Sequence, residues 1–132
     1  YDEELIDLLG LHSILSKKMS ALSGGTIQKV SAILAFLFDP DILILDEPTA
    51  GLDPLSAEIL KMKIEKTVQK GKLVLITSHI LSELDELVTQ VVFMQEGQII
   101  LHRSVDQLMN ETGENKLSKA IISILHRKEP ND

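Results

Sequence analysis

Two short aliphatic runs constrain this chain more than any other feature. Ile42-Leu43-Ile44-Leu45 and Leu73-Val74-Leu75-Ile76-Thr77 show no polar alternation, the pattern of strands buried on both faces of a parallel sheet. Between them lies a loop with Pro48, Gly51 and Pro54. A helix is then predicted from about Leu55 to Lys70, with Ile59, Leu60, Met62 and Ile64 set among charges and Gly71 closing it. Strands alternating with helices give an α/β fold with a parallel sheet.

The flanking segments fit this reading. Residues 2–9 have the pattern of a short amphipathic helix ended near Gly10, and Thr26 to Phe38 that of a helix apolar on most sides and therefore largely buried. Asp39-Pro40-Asp41 breaks the second helix. Leu81 to Val88 is expected to be a short helix, and Val91–Met94 and Gln98–Leu101 a hairpin turning at Glu96-Gly97. Helical segments near 105–111 and 117–127 complete the chain.

Composition narrows the function. The only aromatics are Tyr1, Phe36, Phe38 and Phe93, with no Trp, so the core must be aliphatic. A net charge of −7 weighs against a nucleic-acid partner, which needs a basic face. Without cysteine, neither disulfides nor a Cys-based metal site can form. The longest uncharged apolar stretch, Val30 to Phe38, is too short to span a bilayer. The first residues read as neither a signal peptide nor a natural start, and Tyr1 in place of Met points to further sequence upstream.

Four local patterns carry chemistry, each with a bland alternative. Leu22-Ser23-Gly24-Gly25 precedes a helix and offers backbone N–H groups, a hydroxyl and the positive end of the helix dipole to an anion; it is also an ordinary helix cap. Asp46-Glu47-Pro48 follows the first strand at the edge where parallel sheets place ligands. One acid there suits Mg²⁺ and the other an attacking water, though acids also simply cap strand ends. Gly51-Leu52-Asp53-Pro54 reads most simply as a turn into a helix with Pro at its first position. Ser78-His79, just past the second strand, places a donor that serves either structure or a phosphate oxygen.

Taken in order, the patterns are more specific than any one of them. Leu-Ser-Gly-Gly, sixteen residues, an apolar strand, Asp-Glu-Pro-Thr, Gly-Leu-Asp-Pro, a second strand and Ser-His resemble the ABC ATPase family over roughly residues 1–103. The resemblance implies part of a P-loop NTPase (RecA-like) α/β parallel sheet. Residues 1–38 would be the end of the helical subdomain with the signature motif, 39–103 the C-terminal part of the ATPase core, and 104–132 a helical extension. Leu117 to Leu125 is read as a helix packed on its own domain rather than a partner-binding one.

In that family two subunits meet head to tail around two ATP molecules. By resemblance, Ser23, Gly24 and Gly25 would touch the γ-phosphate held by the partner subunit. Asp46 would serve Mg²⁺, and Glu47 would be the general base or water-orienting carboxylate. Asp53 would belong to the loop crossing the dimer interface, and His79 would hydrogen-bond the γ-phosphate. The cofactors implied are ATP and Mg²⁺. The partners are a second ATPase subunit and transmembrane permease subunits, on the cytoplasmic inner face of the cell membrane.

Two departures from the family pattern matter. The residue after Leu-Ser-Gly-Gly is Thr26 rather than the usual Gln, and no role is placed on it; Gln28, inside the helix, does not substitute for the family's Q-loop glutamine. The chain also contains no Gly-x-x-x-x-Gly-Lys-Ser/Thr, since Gly71-Lys72 is followed by Leu73. The P-loop strand of the family's sheet is therefore expected to be missing, with unpaired backbone and apolar side chains exposed. A truncated chain, inactive alone and stabilised by association, is expected.

Residues 78–87 resemble exporter-type ATPases of the ABC-2 group, and Ser23 to Thr26 with Gln28-Lys29 is similar to ATPases of copper-handling systems that mature nitrous oxide reductase. The reading from a different class is a soluble ABC ATPase acting on the ribosome or DNA. The acidic charge and the lack of a long heptad stretch before the signature speak against it.

Overall fold

The computed structural model describes residues 1–128. They form two compact units that divide between Ser78 and His79.

The first unit contains helix α1 (Glu4–Leu8), helix α2 (Gly24–Phe36), strand β1 (Ile42–Asp46), helix α3 (Pro54–Gln69) and strand β2 (Leu73–Thr77). Strands β1 and β2 pair in parallel, with Ile42 opposite Leu73 and Asp46 opposite Thr77. The predicted strands and the α3 crossover are thus present, and the two runs are neighbours. Their polar ends, Asp46 and Thr77, lie side by side as a result.

The sheet departs in one respect from the two-sided burial that its aliphatic runs predict. Leu43 and Leu45 are buried, whereas Ile42 and Ile44 are 61% and 70% exposed, and Leu73 and Leu75 are exposed on the same face. A continuous aliphatic run predicts burial on both sides, but in this unit helices cover only one. Leu43 and Leu45 share the unit's buried set with Ala32, Ile33 and Phe36 of α2 and Leu60 and Ile64 of α3, a mainly aliphatic core with one aromatic ring. Helix α2 also starts two residues earlier than predicted, so both signature glycines lie inside its first turn. It is less enclosed than expected, with Leu34 and Ile27 exposed.

Lys63 of α3 is buried and donates to Asp2 and, at 2.7 Å, to Glu4; Lys66 donates to Glu4 at 2.6 Å. This ionic cluster ties the N-terminal segment to α3. Burial alone would lower the Lys63 pKa, but its hydrogen bonds to the two carboxylates outweigh that and raise it.

The second unit contains strand β3 (Gln90–Gln95), strand β4 (Gln98–Ser104), helix α4 (Val105–Thr112) and helix α5 (Leu117–Lys128). Strands β3 and β4 form the predicted hairpin. Glu96 and Gly97 have φ of 50° and 74°, the paired left-handed residues that a tight two-residue turn requires. Ser104 caps α4 through a reciprocal capping box with Gln107. Leu101, Leu108, Leu117, Ala120 and Ile121 are almost completely buried together, so α5 packs on its own unit as expected.

The helix predicted over 81–88 is instead a short 3₁₀ turn, Leu81–Leu84. The acidic residue that follows has a different use. The Asp85 carboxylate accepts the Ser118 N–H at 2.8 Å and the Ser118 hydroxyl at 3.3 Å, capping the start of α5.

Candidate functional site

The site is built where β1 ends. Asp46 is its last residue, in register with Thr77. The Thr77 hydroxyl donates to Asp46 Oδ1 and accepts the Glu47 N–H at 3.3 Å. One hydroxyl thus orients one acid and the backbone of the next. The Glu47 N–H also donates to the Thr77 carbonyl at 3.0 Å.

Directly after the strand the chain reverses. Glu47 has φ 46°, a left-handed conformation that a residue with a Cβ adopts only when its surroundings enforce it. The Ala50 N–H donates to the Glu47 carbonyl at 3.1 Å, and the Leu52 N–H to the Thr49 carbonyl at 3.2 Å. The loop then ends on Asp53, which caps α3. Its carboxylate accepts the Ser56 N–H at 2.9 Å and the Ser56 hydroxyl at 2.6 Å, with Pro54 in the first turn. The Ser56 hydroxyl, the Ser56 N–H and then the Lys29 ammonium at 3.2 Å hold the Asp53 carboxyl well below the usual range. The bland reading of Asp53 as a helix cap is therefore satisfied by its geometry.

Ser23 caps α2. Its Oγ accepts the Thr26 N–H at 3.3 Å and shares a 2.8 Å hydrogen bond with the Thr26 hydroxyl. Thr26, given no role from sequence, thus holds the serine that was given one. The Ile27 N–H donates to the Ser23 carbonyl at 2.9 Å. In the first turn of such a helix the Gly24 and Gly25 N–H groups have no intrahelical acceptor and point along the axis, away from the helix body.

The signature turn and the acidic loop are brought together. A Cβ on Gly25 would stand 3.1 Å from the Gly51 carbonyl oxygen, so only glycine fits that approach without displacing the loop. The Gln28 Nε2 donates to the carbonyls of Glu47, at 3.3 Å, and Pro48, at 3.1 Å. Ser23, Gly24, Gly25, Asp46, Glu47 and Asp53 therefore belong to one unit. His79 is the first residue of the other unit.

Sequence reasoning passed over Thr77, Gln28 and Lys29. Thr77 had a signal in principle, as the polar residue closing the second run at the position matching Asp46. Gln28 and Lys29 act on residues about twenty positions away, and no local pattern reveals that.

The donor set suits a magnesium nucleotide. Asp46 keeps a second carboxylate oxygen beside Glu47, and among the described residues no group of three or more His, Cys, Asp or Glu side chains could form a protein cage. Mg²⁺ typically binds through one or two carboxylates and completes its shell with water and phosphate oxygens. The N-terminal turn of the 13-residue helix α2, opened by Ser-Gly-Gly, suits a phosphate.

The profile of the ABC transporter family matches residues 2–50. The ABC transporter ATP-binding protein NatA of Bacillus subtilis is 30% identical over 125 residues, covering 95% of this chain. A solved ATP-binding subunit of an ABC transporter superposes on 92% of the chain with a TM-score of 0.83 at 27% identity. Over nearly its whole length the chain is similar to ATP-binding proteins of ABC transporters. The lantibiotic transport ATP-binding protein SrtF of Streptococcus pyogenes is 37% identical over 102 residues, 77% of this chain and 44% of its own length. The chain spans about half the length of the relatives it matches, 51% of NatA and 52% of the solved subunit. Its likeness to the solved subunit supports an α/β ATPase fold of which the β1–β2 sheet is one part.

Proposed function

We propose that this chain is the signature-bearing part of an ATP-hydrolysing subunit that powers separate transmembrane permease subunits. The observation that carries the reading is the joining of two elements in one unit. The adjacent acids Asp46 and Glu47 stand at the carboxyl end of a parallel strand, and the Ser-Gly-Gly turn of α2 is packed against the loop that follows them. The likeness to transport ATP-binding proteins, NatA and SrtF among them, supports it.

In this reading residues 1–38 are the end of the helical subdomain with the signature, 39–103 the C-terminal part of the ATPase core and 104–132 the helical extension. Mg²⁺ and ATP supply the electrophilic phosphorus and neutralise its oxygens. The chain's own residues orient and donate. Asp46, held by the Thr77 hydroxyl, presents its other oxygen to the metal side. Glu47 orients the attacking water or accepts its proton. Ser23 and the N–H groups of Gly24 and Gly25 face a γ-phosphate bound by a second, head-to-tail subunit, with Asp53 near that interface. His79 donates to a phosphate oxygen. Phosphoryl transfer needs little beyond such positioning and charge compensation. The place proposed for it is peripheral, beside permease subunits at the cytoplasmic inner face; among the described residues no helix is long and apolar enough to cross a membrane.

The test compares magnesium-dependent ATP hydrolysis by the 132-residue chain with that of a form extended upstream through a phosphate-binding loop, each with and without Glu47→Gln. The expected result is silence from the short chain and turnover from the long one, reduced about 100-fold or more by Glu47→Gln, as for loss of a catalytic base. Turnover of the short chain that depends on Glu47 would overturn the division of labour. Turnover of the long form that ignores Glu47→Gln would overturn the assignment of the base.

A further inference from the structure

Glu47 is the one acid whose backbone is held in the left-handed region beside the proposed reaction centre, and its peptide is gripped at both ends. On the N–H side the grip comes from Thr77, through its carbonyl at 3.0 Å and its hydroxyl at 3.3 Å. On the carbonyl side it comes from Gln28, whose Nε2 donates to Glu47 O at 3.3 Å and to Pro48 O at 3.1 Å. A left-handed residue with a Cβ is unfavourable in isolation and persists where neighbouring groups over-determine it. Gln28 is half-buried and sits one turn beyond Ser23-Gly24-Gly25 on the same helix. Two neighbouring positions reinforce the attachment. Gly25 meets the Gly51 carbonyl, and the Lys29 ammonium meets the Asp53 carboxylate at 3.2 Å. Three positions of one helical stretch thus hold the loop at its start, middle and end.

We propose that Gln28 is a positioning residue that fixes the Glu47 peptide, and through it the direction of the Glu47 carboxylate, relative to the phosphate-facing turn of α2. This rests on the ATPase reading above for its catalytic consequence, but not for the coupling itself. The chemistry required is specific. Both acceptors are carbonyl oxygens, so position 28 must donate. Side-chain length and apolar volume alone do not satisfy them, and a carboxylate there would face two acceptors with no hydrogen to offer. When α2 shifts, the loop must shift with it. An event at the Ser-Gly-Gly turn would thereby reach Glu47 without any contact between the two side chains.

The test uses three substitutions in the 132-residue chain: Gln28→Leu, which keeps bulk and loses the donor; Gln28→Glu, which keeps length and loses the donor at neutral pH; and Gln28→Lys, which keeps a donor. Amide hydrogen exchange is read at Glu47, Ala50 and Leu52, with β1, β2 and α3 as internal references. Expected is faster exchange at the loop amides by roughly 3- to 10-fold in the Leu and Glu variants, as for loss of one net hydrogen bond. The references should stay unchanged, and Gln28→Lys should remain near wild type. Unchanged loop exchange in Gln28→Leu would overturn the proposal. So would equal acceleration in α3 and β2, or tolerance of Leu with loosening by Lys, since these mark a packing role.

In the extended form assayed above, Gln28→Leu should lower kcat by about 10- to 100-fold and leave KM for ATP within about twofold, with Gln28→Lys recovering most of the rate. A raised KM with normal kcat would overturn the positioning role. An extended form that never hydrolyses ATP would sink the ATPase reading, while the exchange result would still decide whether Gln28 holds the loop.

Discussion

Acid should loosen the attachment of the N-terminal segment to α3 over a defined range. Glu4 accepts from Lys63 at 2.7 Å and Lys66 at 2.6 Å. The Lys63 hydrogen bond first, and the Lys66 hydrogen bond second, hold its carboxyl at about 2, against an ordinary 4.5. A depressed folded pKa means stability that is fully present above the unfolded value and is lost as pH falls through the folded one. The window is therefore pH 4.5 down to about 2.

At 1.36 kcal/mol per pH unit, that gap corresponds to about 3.4 kcal/mol. The Glu4 side chain is 38% exposed, however, and solvent screening brings the expected contribution to about 1 kcal/mol. Lys63 does not change this sign. Its raised pKa keeps it charged throughout the acid range, and its own contribution is lost only as pH rises past its folded value, above the ordinary 10.5. The assay is the urea midpoint followed by far-UV circular dichroism, since the chain has one Tyr and no Trp. Wild type is compared with Glu4→Gln between pH 7 and pH 2. The wild type should lead by about 1 kcal/mol at pH 7, with the lead shrinking from pH 4.5 and gone near pH 2. A constant separation across that window, or none at pH 7, would refute the linkage.

Two other outcomes are expected. Leu108 is fully buried in the second unit's core, so Leu108→Ala should destabilise that unit by about 2–5 kcal/mol, read as lost exchange protection in α4 and α5; protection within a factor of two of wild type would contradict the burial. Ile44 is 70% exposed on the uncovered sheet face, so Ile44→Lys should raise the soluble concentration by breaking an apolar patch. It should change the urea midpoint by no more than about 0.5 kcal/mol; a loss of several times that would mean another layer covers the face.

The sequence made legible what is written within a few residues. The two runs were recognisable as strands because aliphatic continuity over four or five residues is a local property. The Glu96-Gly97 turn was recognisable because its left-handed pair has a local signature. Asp46, Glu47 and the Ser-Gly-Gly turn were candidates for the same reason. Two-sided burial does not hold for Ile42 and Ile44, because an aliphatic side chain says that it favours burial, not which layer will cover it. Over 81–88 the chain forms a 3₁₀ turn in place of the expected helix, and Asp85 there caps Ser118, 33 residues on, a partner that no local pattern reveals.

Gln28 and Thr77 were missed for a related reason, and it explains how the site is held. Their partners are backbone groups of Glu47 and Pro48 and one oxygen of Asp46, and backbone acceptors carry no residue code. A sequence pattern can show which acids a site uses, but not the donors that aim them. Glu47 makes the difference concrete. Its identity stands in the Asp-Glu-Pro pattern, whereas its left-handed backbone depends on Thr77 from β2 and Gln28 from α2. The carboxylate is therefore only as well placed as the packing of those two elements around β1, and changes at either position should alter its aim while leaving the acidic pair itself intact.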